Sequence, residues 1–304
     1  MMNQRQGIIV TSIAAAGFGS TTIFAQLAYN YGANVITLLT FRFGIAGILF
    51  LLALYLTRTP WNLKLNQLLN LIGLGVIGYA FFTTLYFYGV SLIPASLAGF
   101  LLSIYPIVVC VVAYLLGDEI MTPSKVFALL TSKGGLLFVL GPAFEDADPI
   151  GIVAVLLAAG MYSLYIVGSN RMLKSVHWLP GSAVITISSG VSYLTGGLIT
   201  NQLSLSISRE VIYSGIGLAV LSTFLAIGGF YLGLSVIGPA KASIVSTLEP
   251  VVTAFLAALI FNERLTIGQF IGGSFIILAI IILQRAREER HLKKDTPATK
   301  GPYN

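Results

Sequence analysis

The sequence predicts an all-α integral membrane protein: ten transmembrane helices forming two inverted five-helix repeats, with both termini in the cytoplasm. Three observations predict it. The 304 residues are 56% hydrophobic and only 9% charged, with a mean hydropathy of +0.91, a composition suited to lipid and not to water. Apolar runs of spanning length, about 20 residues each, follow one another with short connections and leave no room for a sizeable soluble domain. The second half of the chain repeats the first.

The candidate spans are 7–28, 34–56, 69–89, 94–116, 124–140, 150–169, 179–200, 212–236, 239–261 and 266–283. The first run follows Arg5 and carries Ala14, Ala15 and Ala16, so it also has the outline of a signal peptide. Nine further runs, and polar Ser20, Thr21, Thr22 and Gln26 within the first, fit an interior-facing helix better. The single cysteine, Cys110, lies inside an apolar run, so there is no disulfide framework and no thiolate metal set. The net charge of +6 forms no basic stripe interleaved with aromatics, and no nucleic-acid partner is expected.

Charge placement orients the spans. Arg5, Arg58, Lys64, Lys125, Arg171, Lys174 and six basic residues of the tail make twelve on the side of the N-terminus, against Arg209 and Arg264 on the other. Positive charge is retained in the cytoplasm, which predicts a multi-pass protein of the cytoplasmic membrane, N-in and C-in. Residues 285–304 read as a basic, disordered cytoplasmic tail that can touch anionic headgroups.

Sliding the chain against itself by 144 residues aligns Gly89, Ser91, Ile93, Ala98, Pro106, Val108, Ala113, Glu119 and Thr122 with Gly233, Ser235, Ile237, Ala242, Pro250, Val252, Ala257, Glu263 and Thr266. These identities within 34 positions exceed what shared apolar composition gives. The repeats are 1–144 and 145–284. Five spans is an odd number, so the second repeat must enter the membrane inverted. Inverted repeats are the recurring design of secondary transporters, because two halves that rock against each other expose one midplane site alternately to either side.

Phe41-Arg42-Phe43, Pro94-Ala95-Ser96, Tyr105-Pro106, Gly117-Asp118-Glu119 and Thr122-Pro123 occur in order in the first half. Gly238-Pro239-Ala240, Glu249-Pro250 and Asn262-Glu263-Arg264-Leu265-Thr266 follow in the second. With the repeat, these motifs resemble the EamA-type family of the drug/metabolite transporter superfamily over essentially the whole chain. The resemblance implies a ten-helix metabolite carrier, often an exporter of amino acids or related compounds, with a cavity formed by spans 1, 3, 4, 6, 8 and 9. Two positions break the symmetry: Tyr105 stands where the second half has Glu249, and Asn262 where the first has Asp118.

Glu249 lies in mid-span, where an unpaired carboxylate is costly. Ala242, Ser246, Glu249 and Thr253 share one helical face. The group reads either as a proton or cationic-substrate site or as a structural carboxylate bonded to neighbouring hydroxyls. Pro106 and Pro250 free carbonyls near Leu102 and Ser246 and predict bends, serving as hinges or as packing, at symmetric positions. Arg42 is deep in its span and reads as a receptor for a substrate carboxylate or as a clamp on helix-end carbonyls. Phe82 and Tyr86 share a face suited to a cavity wall, with Tyr105, Tyr162, Ser163 and Ser20 as further candidates for the lining. Tyr88 and Phe87 read as interfacial belt residues. Lys241 reads as snorkelling at the inner mouth, and Lys133 falls in mid-span with no partner to name. Gly228, Gly229 and Gly233, like Gly268 and Gly272, permit close helix approach.

A secondary transporter of a small polar or amphiphilic metabolite follows, with the bilayer and, where coupled, protons as its other partners. No cofactor, metal or catalytic residue is expected. The only histidines are His177 and His291, and no HExxH, phosphate loop or nucleophile elbow occurs. The alternative is a membrane scaffold or accessory subunit, working as a monomer or a homodimer.

Overall fold

A computed structural model describes residues 2–93, 95–118, 121–140, 148–204 and 208–261, with isolated positions 267, 271, 274, 275, 278 and 279. These residues are helical, and no strand occurs among them. The elements are α1 Gln4–Gly19, α2 Thr21–Asn30, α3 Val35–Thr57, α4 Leu65–Gly73, α5 Phe81–Leu92, α6 Ala95–Leu102, α7 Tyr105–Leu115, α8 Pro123–Leu140, α9 Pro149–Leu173, α10 Trp178–Ile199, α11 Arg209–Ala219, α12 Ala226–Ile237, α13 Pro239–Val245 and α14 Glu249–Phe261.

Seven stretches among the described residues are long and apolar enough to cross a membrane: Gln4–Asn30, Val35–Thr57, Leu65–Leu92, Pro149–Leu173, Trp178–Ile199, Arg209–Ile237 and Pro239–Ile260. They match seven of the expected spans. The expected fourth span is two short helices, α6 and α7, and the fifth is α8. Most of the tenth span, Gly268 and Gly272, the pair Glu263 and Thr266, and the tail lie outside the described residues.

Helix starts follow the sequence signals. Asn3 and Gln6 form a reciprocal capping box, each side chain accepting from the other's backbone N–H at 2.9 Å. Asn34 accepts from Thr37 N at 2.8 Å, and Asp148 accepts from Ile150 N at 2.8 Å with Pro149 at the first helical position. Lys125 N donates to Thr122 Oγ1 at 3.4 Å ahead of α8, as its Thr-Pro start predicts.

The buried core lies between the helices, while Ile13, Ile48, Leu51, Leu52, Tyr55, Leu56, Leu157 and Leu198 are exposed on the outer surface. An apolar exterior over several elements is the surface of a protein solvated by lipid chains.

Two glycine contacts set the packing. A Cβ on Gly233 of α12 would meet Thr11 Oγ1 at 2.0 Å and Gly7 O at 3.1 Å, so α12 and α1 touch backbone to backbone there. A Cβ on Gly89 of α5 would meet Val155 Cγ2 at 2.4 Å and Gly151 O at 3.1 Å on α9. Gly89, Gly151 and Val155 are each displaced by 144 positions from Gly233, Gly7 and Thr11, with the last two pairs running in the opposite sense to the first. The Tyr29 hydroxyl donates to Phe87 O at 3.3 Å, which puts the Gly89 contact at the end of the bundle reached by α2, away from Gly7.

Four irregular segments interrupt the rods. Residues Leu74–Ala80, between α4 and α5, and Val220–Leu225, between α11 and α12, are π-helical. The break between α6 and α7 falls before Pro106, and a 3₁₀ turn over Ser246–Leu248 separates α13 from α14 just before Pro250. The bends expected from the two prolines are therefore present, with each proline in the first turn of the following segment, where its missing N–H costs least.

Candidate functional site

The irregular segments surround one cavity. It is lined by Phe18, Thr21, Arg42, Tyr79, Phe82, Thr83, Tyr86, Phe87, Leu102, Tyr162 and Glu249, with a free volume of about 30 Å³ in this conformation. Of the residues singled out from the sequence, Glu249, Arg42, Phe82, Tyr86 and Tyr162 meet here.

Glu249 is the first residue of α14, so its carboxylate sits at the positive end of a helix that restarts inside the bundle. Its Oε1 is buried without a hydrogen-bond partner. The Tyr105 hydroxyl stands within interaction range of Glu249 and Ser246, yet the Tyr105 and Ser246 oxygens are likewise held in no hydrogen bond of regular geometry. Three polar tips thus converge beside the cavity with unused capacity, which is what a site awaiting a polar ligand offers.

Arg42 is 2% exposed. Its Nε donates to Thr223 Oγ1 at 2.7 Å and its Nη2 to Ser222 O at 3.2 Å, both within the π-helical turn after α11. Thr223 Oγ1 in turn donates to Leu218 O at 2.7 Å. The carbonyl clamp read from the sequence is therefore formed, and Arg42 also faces the cavity. Phe43 and Phe87 rings lie 5.1 and 5.3 Å from the guanidinium carbon. Among the described residues, Arg42 and Glu249 form no ion pair with each other. One guanidinium and one carboxyl group therefore border the same cavity from different elements.

Aromatic rings fill the wall between them. Phe82 and Tyr162 stack at 4.3 Å with an 18° interplanar angle. Tyr105 meets Tyr162 edge-on at 4.8 Å, and Tyr79 lies 4.9 Å from Tyr165. Past this layer, toward the end that carries Arg171, the Tyr165 and Tyr231 hydroxyls are hydrogen-bonded and Tyr231 donates to Ser169 Oγ at 2.9 Å. Beyond them Asp118 accepts from Arg171 Nε at 2.8 Å and from Lys174 Nζ at 3.3 Å. Burial opposes charge on Asp118, but the two hydrogen-bonded cations outweigh it and hold its carboxyl below the usual range.

Other expected lining residues are structural. Ser20 Oγ bonds Gly17 O at 2.6 Å and Ser222 Oγ at 2.8 Å. Ser163 donates to Ala159 O at 2.7 Å and Tyr105 O at 3.1 Å. Thr253 donates to Gly19 O at 2.8 Å and Glu249 O at 3.0 Å, tying α14 to α1. None of the three lines the cavity.

Sequence reasoning missed Tyr79, Thr83 and Phe87. Phe87 is no belt residue: it is 1% exposed beneath Arg42, whereas Tyr88 beside it is 46% exposed. The signal was present, since positions 79, 82, 83, 86 and 87 follow the spacing of a single helical face. Lys133 resolves as an interior charge, its Nζ buried without a hydrogen-bond partner.

A family model described as the EamA-like transporter family matches residues 5–141 and again 149–285. The chain belongs to the EamA-like transporter family. It is 27% identical over 286 residues to the protein named "Uncharacterized transporter YcbK" of Bacillus subtilis (strain 168), covering 90% of this chain and 91% of that one. It is 26% identical over 180 residues to the "Aromatic amino acid exporter YddG" of Ancylobacter novellus, covering 54% and 60%. A crystal structure shares its fold with a TM-score of 0.77 at 16% identity, covering 94% of this chain and 98% of that chain. As a member of this family the chain is a multi-pass membrane protein of a metabolite-transporter family.

Proposed function

We propose that this transporter is a secondary carrier for a zwitterionic metabolite, an amino acid with an apolar or aromatic side chain, moved by alternating access and principally exported. The observation that carries the reading is the pairing of Arg42 and Glu249 on one aromatic-walled cavity. A substrate carboxylate has a guanidinium to face, an ammonium has a carboxylate, and an apolar side chain has Phe82, Tyr86 and Tyr162. In a ligand site a few convergent polar groups set orientation. The printed name of the Ancylobacter relative supports an amino-acid substrate.

Ten spans in two inverted repeats remain the architecture of choice. The double match of the family model supports it. So do the glycine contacts: Gly233 on Gly7 and Gly89 on Gly151 are equivalent and lie at opposite ends. With both termini cytoplasmic, the cavity opens toward the outer half, while the Tyr165–Tyr231–Ser169 cluster and the Asp118 bridges close the inner half. Glu249 is the coupling residue: it carries a proton or the substrate ammonium in turn.

The test is flux of labelled amino acids in proteoliposomes, with and without an imposed pH gradient, for wild type and Glu249→Gln. Saturable flux that responds to the gradient and collapses in the variant supports a proton-coupled carrier. Gradient-independent flux that survives the substitution leaves Glu249 structural.

A further inference from the structure

Lys133 stands outside the cavity and outside the mechanism so far. It is on α8, four positions after buried Leu129, and so shares the inward face of that helix. That face packs against α6, α13 and α14, the segments on either side of the two broken spans. Its Nζ is buried with no hydrogen-bond partner. A lysine in this position would ordinarily stretch its stem toward water; here the ammonium stays inside. The ionisable groups in its field are Cys110 of α7 and Glu249 of α14. Glu249 in turn has Lys133 as the cation acting on it, with the Tyr105 hydroxyl as neighbour. The carboxylate's Oε1 is equally unpartnered.

Two ionisable groups of opposite sign are thus buried on packed helices, in each other's field, and neither Lys133 Nζ nor Glu249 Oε1 has a hydrogen-bond partner. An ion in the membrane interior stays there only with a partner, because isolation costs several kcal/mol. Lys133 is not among the residues that line the cavity, whereas Glu249 is. Glu249 therefore has two faces: one toward Lys133 and one toward the space a substrate enters.

We propose that Lys133 is the resting counter-ion of Glu249, and that it yields the carboxylate to the ammonium group of an entering amino acid. This deepens the zwitterion reading above and rests on it. The exchange involves no bond making: the substrate ammonium takes the place of the Lys133 ammonium beside Glu249, so the carboxylate faces one cation before and after. A substrate without an ammonium group leaves the internal pair undisturbed. The carrier thereby distinguishes amino acids from the corresponding carboxylic acids by whether the internal cation is displaced.

The experiment uses the full-length protein in detergent and two readouts. The first is thermal unfolding of wild type, Lys133→Met, Glu249→Gln and the double variant. Each single substitution strands one buried charge and lowers the Tm; the double variant recovers most of the loss, because coupled residues are non-additive. The second is thermal stabilisation titrated with L-tryptophan and with indole-3-propionate, which lacks the ammonium. If Lys133 holds the carboxylate about nine-tenths of the time, removing it tightens the apparent Kd for L-tryptophan about tenfold, while indole-3-propionate gains nothing. Lys133→Gln serves the same purpose if Lys133→Met is not recovered folded.

Additive losses of Tm overturn the pairing. Coupled losses with unchanged or weaker L-tryptophan binding in Lys133→Met overturn the exchange. Failure of L-tryptophan to stabilise either wild type or Lys133→Met overturns the zwitterion reading and the exchange with it, whereas intact L-tryptophan binding with an additive cycle removes the role of Lys133 alone.

Discussion

The Tyr193 hydroxyl on α10 donates to the carbonyl oxygen of Ala80, the last residue of the π-helical turn before α5, at 2.5 Å. Ser189, one turn earlier on α10, donates to Gly75 O at 2.9 Å at the other end of that turn. On α3, Arg42 grips Ser222 O in the second π-helical turn. Each turn is thus held by a polar side chain from a helix in the other half of the chain. A π-helical turn leaves carbonyls misaligned for their own helix, and in lipid every such group needs a partner. The clamps make the irregular backbone around the cavity tolerable and tie its shape to the contact between the halves.

Tyr193→Phe tests one clamp. The ring keeps its stacking on Phe43, at 5.5 Å and 5°, and loses the hydroxyl's bonds with Ala80, Thr83 and Thr84. Interhelical hydrogen bonds in bilayers average about 0.6 kcal/mol, with larger cases near about 1.7, so a loss of about 1 kcal/mol is expected. Thermal unfolding in detergent measures it, and flux should fall as well because the turn borders Tyr79 and Phe82.

Arg42→Lys separates charge from geometry. Lysine keeps the cation but cannot hold Thr223 and Ser222 with one planar fork. A lowered Tm with part of the flux retained is expected, whereas Arg42→Met should lose flux about tenfold or more, equivalent to about 1.4 kcal/mol or more. Equal flux in wild type and Arg42→Met would remove Arg42 from substrate recognition and leave it a clamp.

Gly233→Ala should destabilise the fold by about 1–3 kcal/mol, the usual cost of overpacking. Its Cβ would collide with Thr11 Oγ1, which is itself fixed to Gly7 O at 2.8 Å and has little room to turn. Gly44→Ala is the control, since a Cβ there meets nothing within 4 Å; helix propensity makes it neutral or stabilising. The difference in Tm between the two variants is the measurement.

The Asp118 bridges supply a pH prediction. Arg171 and Lys174 keep this carboxyl below its ordinary value, so the folded state gains from its charge at every pH above the unfolded carboxylate value, and loses that gain as pH falls through the lowered one. The bridges therefore persist across the neutral range and open only in strong acid. Cysteine labelling at Ser175→Cys should be insensitive to pH near neutrality, and Asp118→Asn should raise labelling at every pH.

Much of this was legible in the chain. Apolar runs gave the rods because lipid forces every backbone group into a helix, and Asn3, Asn34, Asp148 and Thr122 marked starts because short polar side chains satisfy free N–H groups. Pro106 and Pro250 located the two breaks, and Glu249 drew notice because a carboxylate in an apolar run is costly. What stayed hidden was tertiary. The π-helical turns carry no composition of their own, and their clamps come from residues more than a hundred positions away, as with Ser189 and Gly75. Lys133 had no visible partner for the same reason: Glu249 reaches it only once α8 packs on α14. Phe87 was misplaced because its nearness to a helix end was weighed above the face it shares with Tyr79 and Thr83.

The most direct test of the zwitterion cavity is competition against L-tryptophan counterflow in proteoliposomes, using tryptamine and indole-3-propionate beside unlabelled L-tryptophan. If Arg42 and Glu249 receive the two charged ends, L-tryptophan competes far better than either analogue, Arg42→Met narrows its advantage over tryptamine, and Glu249→Gln narrows its advantage over indole-3-propionate. Equal competition by all three compounds, or the same ranking in wild type and both variants, would contradict a cavity that reads both charges.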